Sequence, residues 1–159
     1  MRAAIITISD GCFHKKRDND SGQALDQLLT KNQWAVISTH LLPDELSQIQ
    51  DTIRTLTQDS QKIHLIVTTG GTGLGPRDVT PEAVQSLLDK EVPGLSELMR
   101  IEGLKSTPFA VLSRSLAGIR NKTLILCLPG SPKGAVESLE AVVNILPHAI
   151  DLLQGRTNH

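Results

Sequence analysis

The chain has 159 residues, 39% of them hydrophobic and 21% charged, with a formal net charge of −1, the composition of an ordinary soluble globular domain. Sixteen basic against seventeen acidic side chains lack the basic excess of a nucleic-acid binder, and three aromatics (Phe13, Trp34, Phe109) are too few for base-stacking platforms. Two distant cysteines, Cys12 and Cys127, and no long apolar run disfavour a disulfide scaffold, a signal peptide and a membrane span, so one cytoplasmic domain over residues 1–159 is expected.

In chain order, the apolar run Ala3–Ile8 predicts a first strand. The polar stretch Gly11–Gly22 follows, with Lys15-Lys16-Arg17 and Asp18-Asn19-Asp20, and reads as a long functional loop. Ser21-Gly22 then caps a helix over Gly22–Thr30, and Trp34–Leu41 is a second strand. Pro43-Asp44 opens a helix over Glu45–Leu56, before a third strand at Ile63–Thr68. Thr80-Pro81-Glu82 places a cap, a first-turn proline and an early acid ahead of a helix over Pro81–Leu88. A helix over Leu95–Leu104 precedes the irregular segment Phe109–Ile119, read as a small hairpin or edge strand. The last strand is Thr123–Leu128, and Ser131 caps a final helix over Pro132–Leu153. The first and the last two strands are continuous apolar runs, as in strands covered on both faces. Strands alternating with helices imply an α/β fold with a mostly parallel sheet and helices on both sides.

Ligands of such sheets bind beyond the carboxyl ends of the strands. Acids, hydroxyls and glycines collect there: Ser9-Asp10-Gly11, Pro43-Asp44, Thr69 to Thr80, and Pro129-Gly130-Ser131-Pro132-Lys133. Gly70–Gly75 holds four glycines in six residues, so several N–H groups can converge on an anion beside the helix starting at Thr80. Phosphate is the natural guest. Pro76-Arg77 stands where a Walker loop needs Lys-Ser/Thr, and Pro76 where a dinucleotide fingerprint needs glycine, which disfavours P-loop kinases and dehydrogenases. Asp10, Asp44 and Asp78 each have two readings, as turn or capping acids, or as carboxylates converging to hold Mg²⁺. Ser131-Pro132-Lys133 is either a second anion cradle or a plain helix cap. Arg114, in Ser113-Arg114-Ser115, either meets a phosphate or solvates a loop. Cys12 and His14 read as solvated loop residues, His64 as a satisfied core histidine and Cys127 as a small buried hydrophobe.

Thr69-Gly70-Gly71-Thr72-Gly73 together with Arg77-Asp78-Val79-Thr80-Pro81-Glu82-Ala83 resembles the molybdopterin adenylyltransferases, the MogA/MoaB proteins and the gephyrin G domain. The likeness continues in order through Ile8-Ser9-Asp10, Asp20-Ser21-Gly22, Pro43-Asp44-Glu45, Pro93-Gly94, Leu112-Ser113-Arg114, Ala117-Gly118-Ile119-Arg120 and Leu128-Pro129-Gly130-Ser131-Pro132. It implies a three-layer α/β/α fold of the MogA type, a homotrimer, and transfer of AMP from Mg-ATP to the terminal phosphate of molybdopterin with release of pyrophosphate. The product would pass to a molybdate-inserting enzyme. By the same resemblance Asp44 and Asp78 are the catalytic and Mg²⁺-holding acids. Gly70, Gly71, Thr72 and Gly73 form the nucleotide and pterin-phosphate loop. Ser9, Asp10, Asp20, Ser113, Gly130, Ser131 and Pro132 support substrate binding, and Ser131 departs from the Asn or Gln common there. The alternative is a non-catalytic molybdopterin-binding or scaffold protein of the same fold; retention of both acids and the chain's length favour a stand-alone enzyme.

Overall fold

A computed structural model describes residues 1–156. Strand β1 (Arg2–Ile8) is followed by α1 (Asp10–Phe13), α2 (Asp20–Lys31), β2 (Ala35–Leu42) and α3 (Leu46–Leu56). Then come β3 (Leu65–Thr69), α4 (Thr80–Gln85), β4 (Lys90–Glu91), α5 (Pro93–Leu104), a 3-10 turn at Pro108–Leu112, β5 (Ala117–Arg120), β6 (Thr123–Leu128), α6 (Pro132–Val142) and α7 (Leu146–Leu153). The six strands form one sheet in the order β2-β1-β3-β6-β5-β4. The first four are parallel, while β5 runs antiparallel to β6 and β4 in turn antiparallel to β5 at one edge.

The period-two geometry of a strand divides each apolar run between two cores. Ile5, Val67 and Leu126, in register across β1, β3 and β6, pack with Leu25 and Leu29 of α2, Met99 of α5 and Leu139 of α6. Their neighbours Ile6, Ile66 and Ile125 face the other way, onto Ile49 and Ile53 of α3 and Ala83 and Val84 of α4. The result is a three-layer α/β/α fold with a mostly parallel central sheet. β1, β3 and β6 are buried along nearly their whole length, whereas β2 alternates because it is an edge strand. No helix among the described residues is long and apolar enough to cross a membrane.

Several local expectations are corrected. The stretch Gly11–Gly22 is not one long loop: Ser9 caps the short α1, and α2 starts at Asp20, two residues ahead of Gly22. The cap of α2 is Asn19, which accepts from the Gly22 N–H, rather than Ser21. The helix expected over Pro132–Leu153 is two helices, broken at Val143–Ile145. Pro147 has no N–H to donate to the carbonyl four residues back and so cannot continue the first helix. Thr80 does not cap α4 either; its hydroxyl donates to the Gly70 carbonyl at 2.8 Å and ties the helix to the glycine turn. Phe109–Ile119 contains a 3-10 turn and the start of β5.

Candidate functional site

Four parallel strands end at one edge, and in register: Ile8 lies opposite Leu42, Thr7 opposite Thr69, and Thr69 opposite Leu128. The loops that leave them therefore meet. Gly70 follows β3 with φ of +100° and Gly71 with φ of +63°. A Cβ on Gly70 would overlap the Ile8 carbonyl of the adjacent strand, so only glycine fits. The turn is pinned by Gly70 N–H donating to the Leu128 carbonyl, Thr80 N–H to the Gly71 carbonyl, and the Thr69 hydroxyl to the Pro129 carbonyl at 2.7 Å.

Around this turn lies a cavity of about 650 Å³, lined among others by Ser9, Asp20, Asp44, Gly70, Gly71, Asp78, Gly130, Ser131 and Pro132. These are nine of the thirteen residues singled out above. Asp44 enters from the β2–α3 loop. It does not cap α3, whose cap position is Glu45; its Oδ2 instead accepts from the Asp10 N–H at 2.8 Å. Asp10 reciprocates by accepting from the Asp44 N–H at 3.0 Å. Its own carboxylate faces Arg77 and does not line the cavity. Asp78 accepts from the Gly75 N–H at 2.8 Å, bracing its own loop rather than capping α4. Gly73 passes so close to that carboxylate that a Cβ there would stand 2.8 Å from Asp78 Oδ2. Thr72 is buried, its carbonyl accepting from the Arg114 N–H. Ser131 caps α6 by accepting from the Gly134 N–H at 3.2 Å, as one of its two readings has it, and it also lines the cavity. Ser113 sits apart. It bonds Ser115 and lines a smaller cavity of about 230 Å³ with Met99 and Phe109, which shares Ser131 as a common wall.

The two neighbouring acids titrate in opposite directions. Partial burial pushes the Asp44 carboxyl up, helped by the negative charges of Asp10 and Asp78. The hydrogen bond from Arg77, with that from the Asp44 backbone, holds Asp10 below the usual carboxylate range.

Sequence reasoning missed several members. Thr7, Arg17 and Ser21 also line the cavity, and Thr7 Oγ1 is buried without a hydrogen-bond partner. The only sequence signal for Thr7 is its place near the end of an apolar strand. Arg114 neither solvates a loop nor reaches into the cavity. It donates to the carbonyls of Gly73 and Asp78 at 2.8 and 2.7 Å and pairs with Glu82, clamping the glycine loop from behind. Cys12 is half-buried, with its thiol near the Asp18 carbonyl, and it too lines the cavity. His64, half-buried at the opposite end of the sheet, accepts from the Arg2 N–H, and Cys127 is wholly buried.

The family model described as "Probable molybdopterin binding domain" matches residues 4–148. The chain belongs to this family. A relative named molybdopterin adenylyltransferase, from Helicobacter pylori (strain J99), is 40% identical over 98% of this chain and 89% of its own length. Molybdenum cofactor synthesis protein cinnamon of Drosophila melanogaster is 44% identical over 94% of this chain, which spans a quarter (25%) of that longer protein. Among solved structures, the molybdopterin biosynthesis enzyme MoaB from Thermus thermophilus superposes with a TM-score of 0.91 at 51% identity, covering 97% of this chain and 96% of that one. A CinA protein of Thermoplasma acidophilum, at 17% identity and a TM-score of 0.69, covering 91% of this chain and 97% of its own, shares the fold alone. The three layers and the strand order seen here are thus those of the molybdopterin-binding domain.

Proposed function

We propose that this protein is a molybdopterin adenylyltransferase. An oxygen of the terminal phosphate of molybdopterin attacks the α-phosphorus of ATP, the bond from that phosphorus to the β-phosphate oxygen breaks, and pyrophosphate leaves. The observation that carries this reading is the convergence of Asp44 and Asp78 with the Gly70–Gly71 turn on one polar cavity. Relatives bearing that enzyme name at 40% and 37% identity, each over 98% of this chain, support it.

The donor set fits a cation that arrives with phosphates. Among the described residues no three His, Cys, Asp or Glu side chains form a metal cage by themselves. Asp44 and Asp78 offer hard oxygen ligands and leave the remaining positions to phosphate oxygens, as Mg²⁺ prefers. Mg²⁺ bound with ATP would neutralise charge on the phosphoryl oxygens. Asp44, disfavoured as an anion by its surroundings, is relieved by positive charge beside it. The backbone of the Gly70–Gly71 turn and the N-terminus of α6 at Ser131-Pro132 orient phosphate groups. Phosphoryl-type transfer depends chiefly on such positioning and charge stabilisation. The working assembly in this proposal is a homotrimer that hands its product to a molybdate-inserting enzyme.

The test is incubation with Mg-ATP and molybdopterin, reading adenylylated pterin and pyrophosphate, with folded Asp78→Ala alongside. Product from the parent and none from the variant is expected. Pterin bound by the parent without AMP transfer would replace this reading with that of a non-catalytic molybdopterin carrier.

A further inference from the structure

We propose that Arg77 is a positioning residue, whose guanidinium staples the loop carrying Asp78 to the two loops carrying Asp10 and Asp44. Its Nε donates to Asp10 Oδ2 at 3.1 Å and its Nη2 to Asp10 Oδ1 at 3.2 Å, a two-pronged grip on one carboxylate. The same Nη2 donates to Glu45 Oε1 at 2.9 Å. Asp10 and Asp44 are already locked to each other by their reciprocal backbone-to-carboxylate bonds. Arg77 therefore joins the β3–α4 loop to a rigid pair formed by the β1–α1 and β2–α3 loops.

The loop needs that tie. Residues 74–77 are exposed, with Leu74 at 68% exposure, so no apolar packing anchors the tip. Arg114 holds the inner side, and Asp78 braces against its own loop at Gly75. Neither contact relates Asp78 to Asp44 across the cavity; Arg77 does. It does not line the cavity itself, and both of its bonded nitrogens are engaged by carboxylates, so its action on the site runs through the loops. The Arg77 side chain is 57% exposed, and an ion pair so exposed adds little to global stability. What it controls is geometry, where a misplacement of about 1 Å can cost about a hundredfold in rate. Lysine keeps the charge and loses the planar fork.

The experiment compares the full-length chain with R77Q, R77K, D10N and the R77Q/D10N double variant. Amide hydrogen exchange at Gly75 and Asp78 of the β3–α4 loop, kcat and KM for ATP, and Tm are read for each. In R77Q the Gly75 and Asp78 amides of the freed loop should exchange at least about tenfold faster and kcat should fall about 10–100-fold. KM for ATP should stay within about threefold and Tm within about 2 °C, as expected for a weak surface pair. R77K should recover neither kcat nor protection, and the double variant should be no worse than R77Q. Unchanged exchange in R77Q would overturn the staple, and so would a defect confined to KM, which would make Arg77 a direct nucleotide contact. The kinetic arm rests on the proposed AMP transfer, and the exchange arm does not. A parent without transfer activity would sink that reaction alone, and exchange would still decide the staple.

Discussion

Asp44 and Asp10 exchange backbone hydrogen bonds, yet their carboxyls shift in opposite directions, because partial burial raises Asp44 while the hydrogen bond from Arg77 lowers Asp10. A raised carboxyl binds its proton more tightly in the folded state, so ionising Asp44 opposes folding at neutral pH and ceases to do so in acid. Asp44→Asn should therefore leave stability at pH 7 equal or higher by about a few tenths of a kcal/mol, given solvent screening. The difference should vanish as the pH falls toward and below the usual carboxylate range, while AMP transfer is lost; urea titrations across pH check the first part. Cys127 follows a similar rule in alkali. Complete burial pushes its thiol up to about 12, so stability is full at neutral pH and should fall by about 1.4 kcal/mol per pH unit once the unfolded thiol ionises above about 8.5. Cys127→Ala should abolish that slope, and thiol labelling of the native protein near pH 8 should modify Cys12 alone. At this scale the acids and glycines were legible in the sequence because their types are rare in apolar strands. The roles of Arg77 and Arg114 were not, since an arginine's partners lie wherever its long side chain is led.

The glycine turn separates a folding requirement from a site requirement within four residues. Gly70 has positive φ and its Cβ would strike strand backbone, which cannot yield. Gly70→Ala should cost roughly 3 kcal/mol or more, combining about 1–2 for the left-handed conformation with the overlap. Gly73 is different, since its Cβ would meet only the end of the Asp78 side chain, at 2.8 Å. Gly73→Ala should leave Tm within about 3 °C of the parent while displacing that carboxylate and lowering AMP transfer about tenfold or more. Thermal melts with parallel assays distinguish the two. The Ser131-Pro132 pattern correctly marks the start of α6 because that signal is local. Asp44 carries a similar local pattern and caps nothing, because its neighbour across the strand edge, Asp10, claims its carboxylate.

Across the whole molecule, β1, β3 and β6 are the shared wall of two cores, and alternate residues of each strand serve opposite faces. Ile66, the second residue of β3 and wholly buried, should cost about 2–5 kcal/mol when replaced by Ala. Urea denaturation measures this, and because Ile66 touches neither carboxylate, AMP transfer well below the new Tm should persist. The alternation of strands and helices, the glycine run and, to within two residues, the starts of α2 to α6 are readable from the chain, because periodicity and turn residues act over a few neighbouring positions. Strand order is not local. The hydrogen bonds that place β1 between β2 and β3 join residues about 30 to 60 positions apart in sequence. That order brings Asp10, Asp44 and the Asp78 loop to one rim and lets Arg77 span them. No pattern of neighbours along the chain encodes such a meeting, because long-range pairing and side-chain reach are settled only when the layers pack.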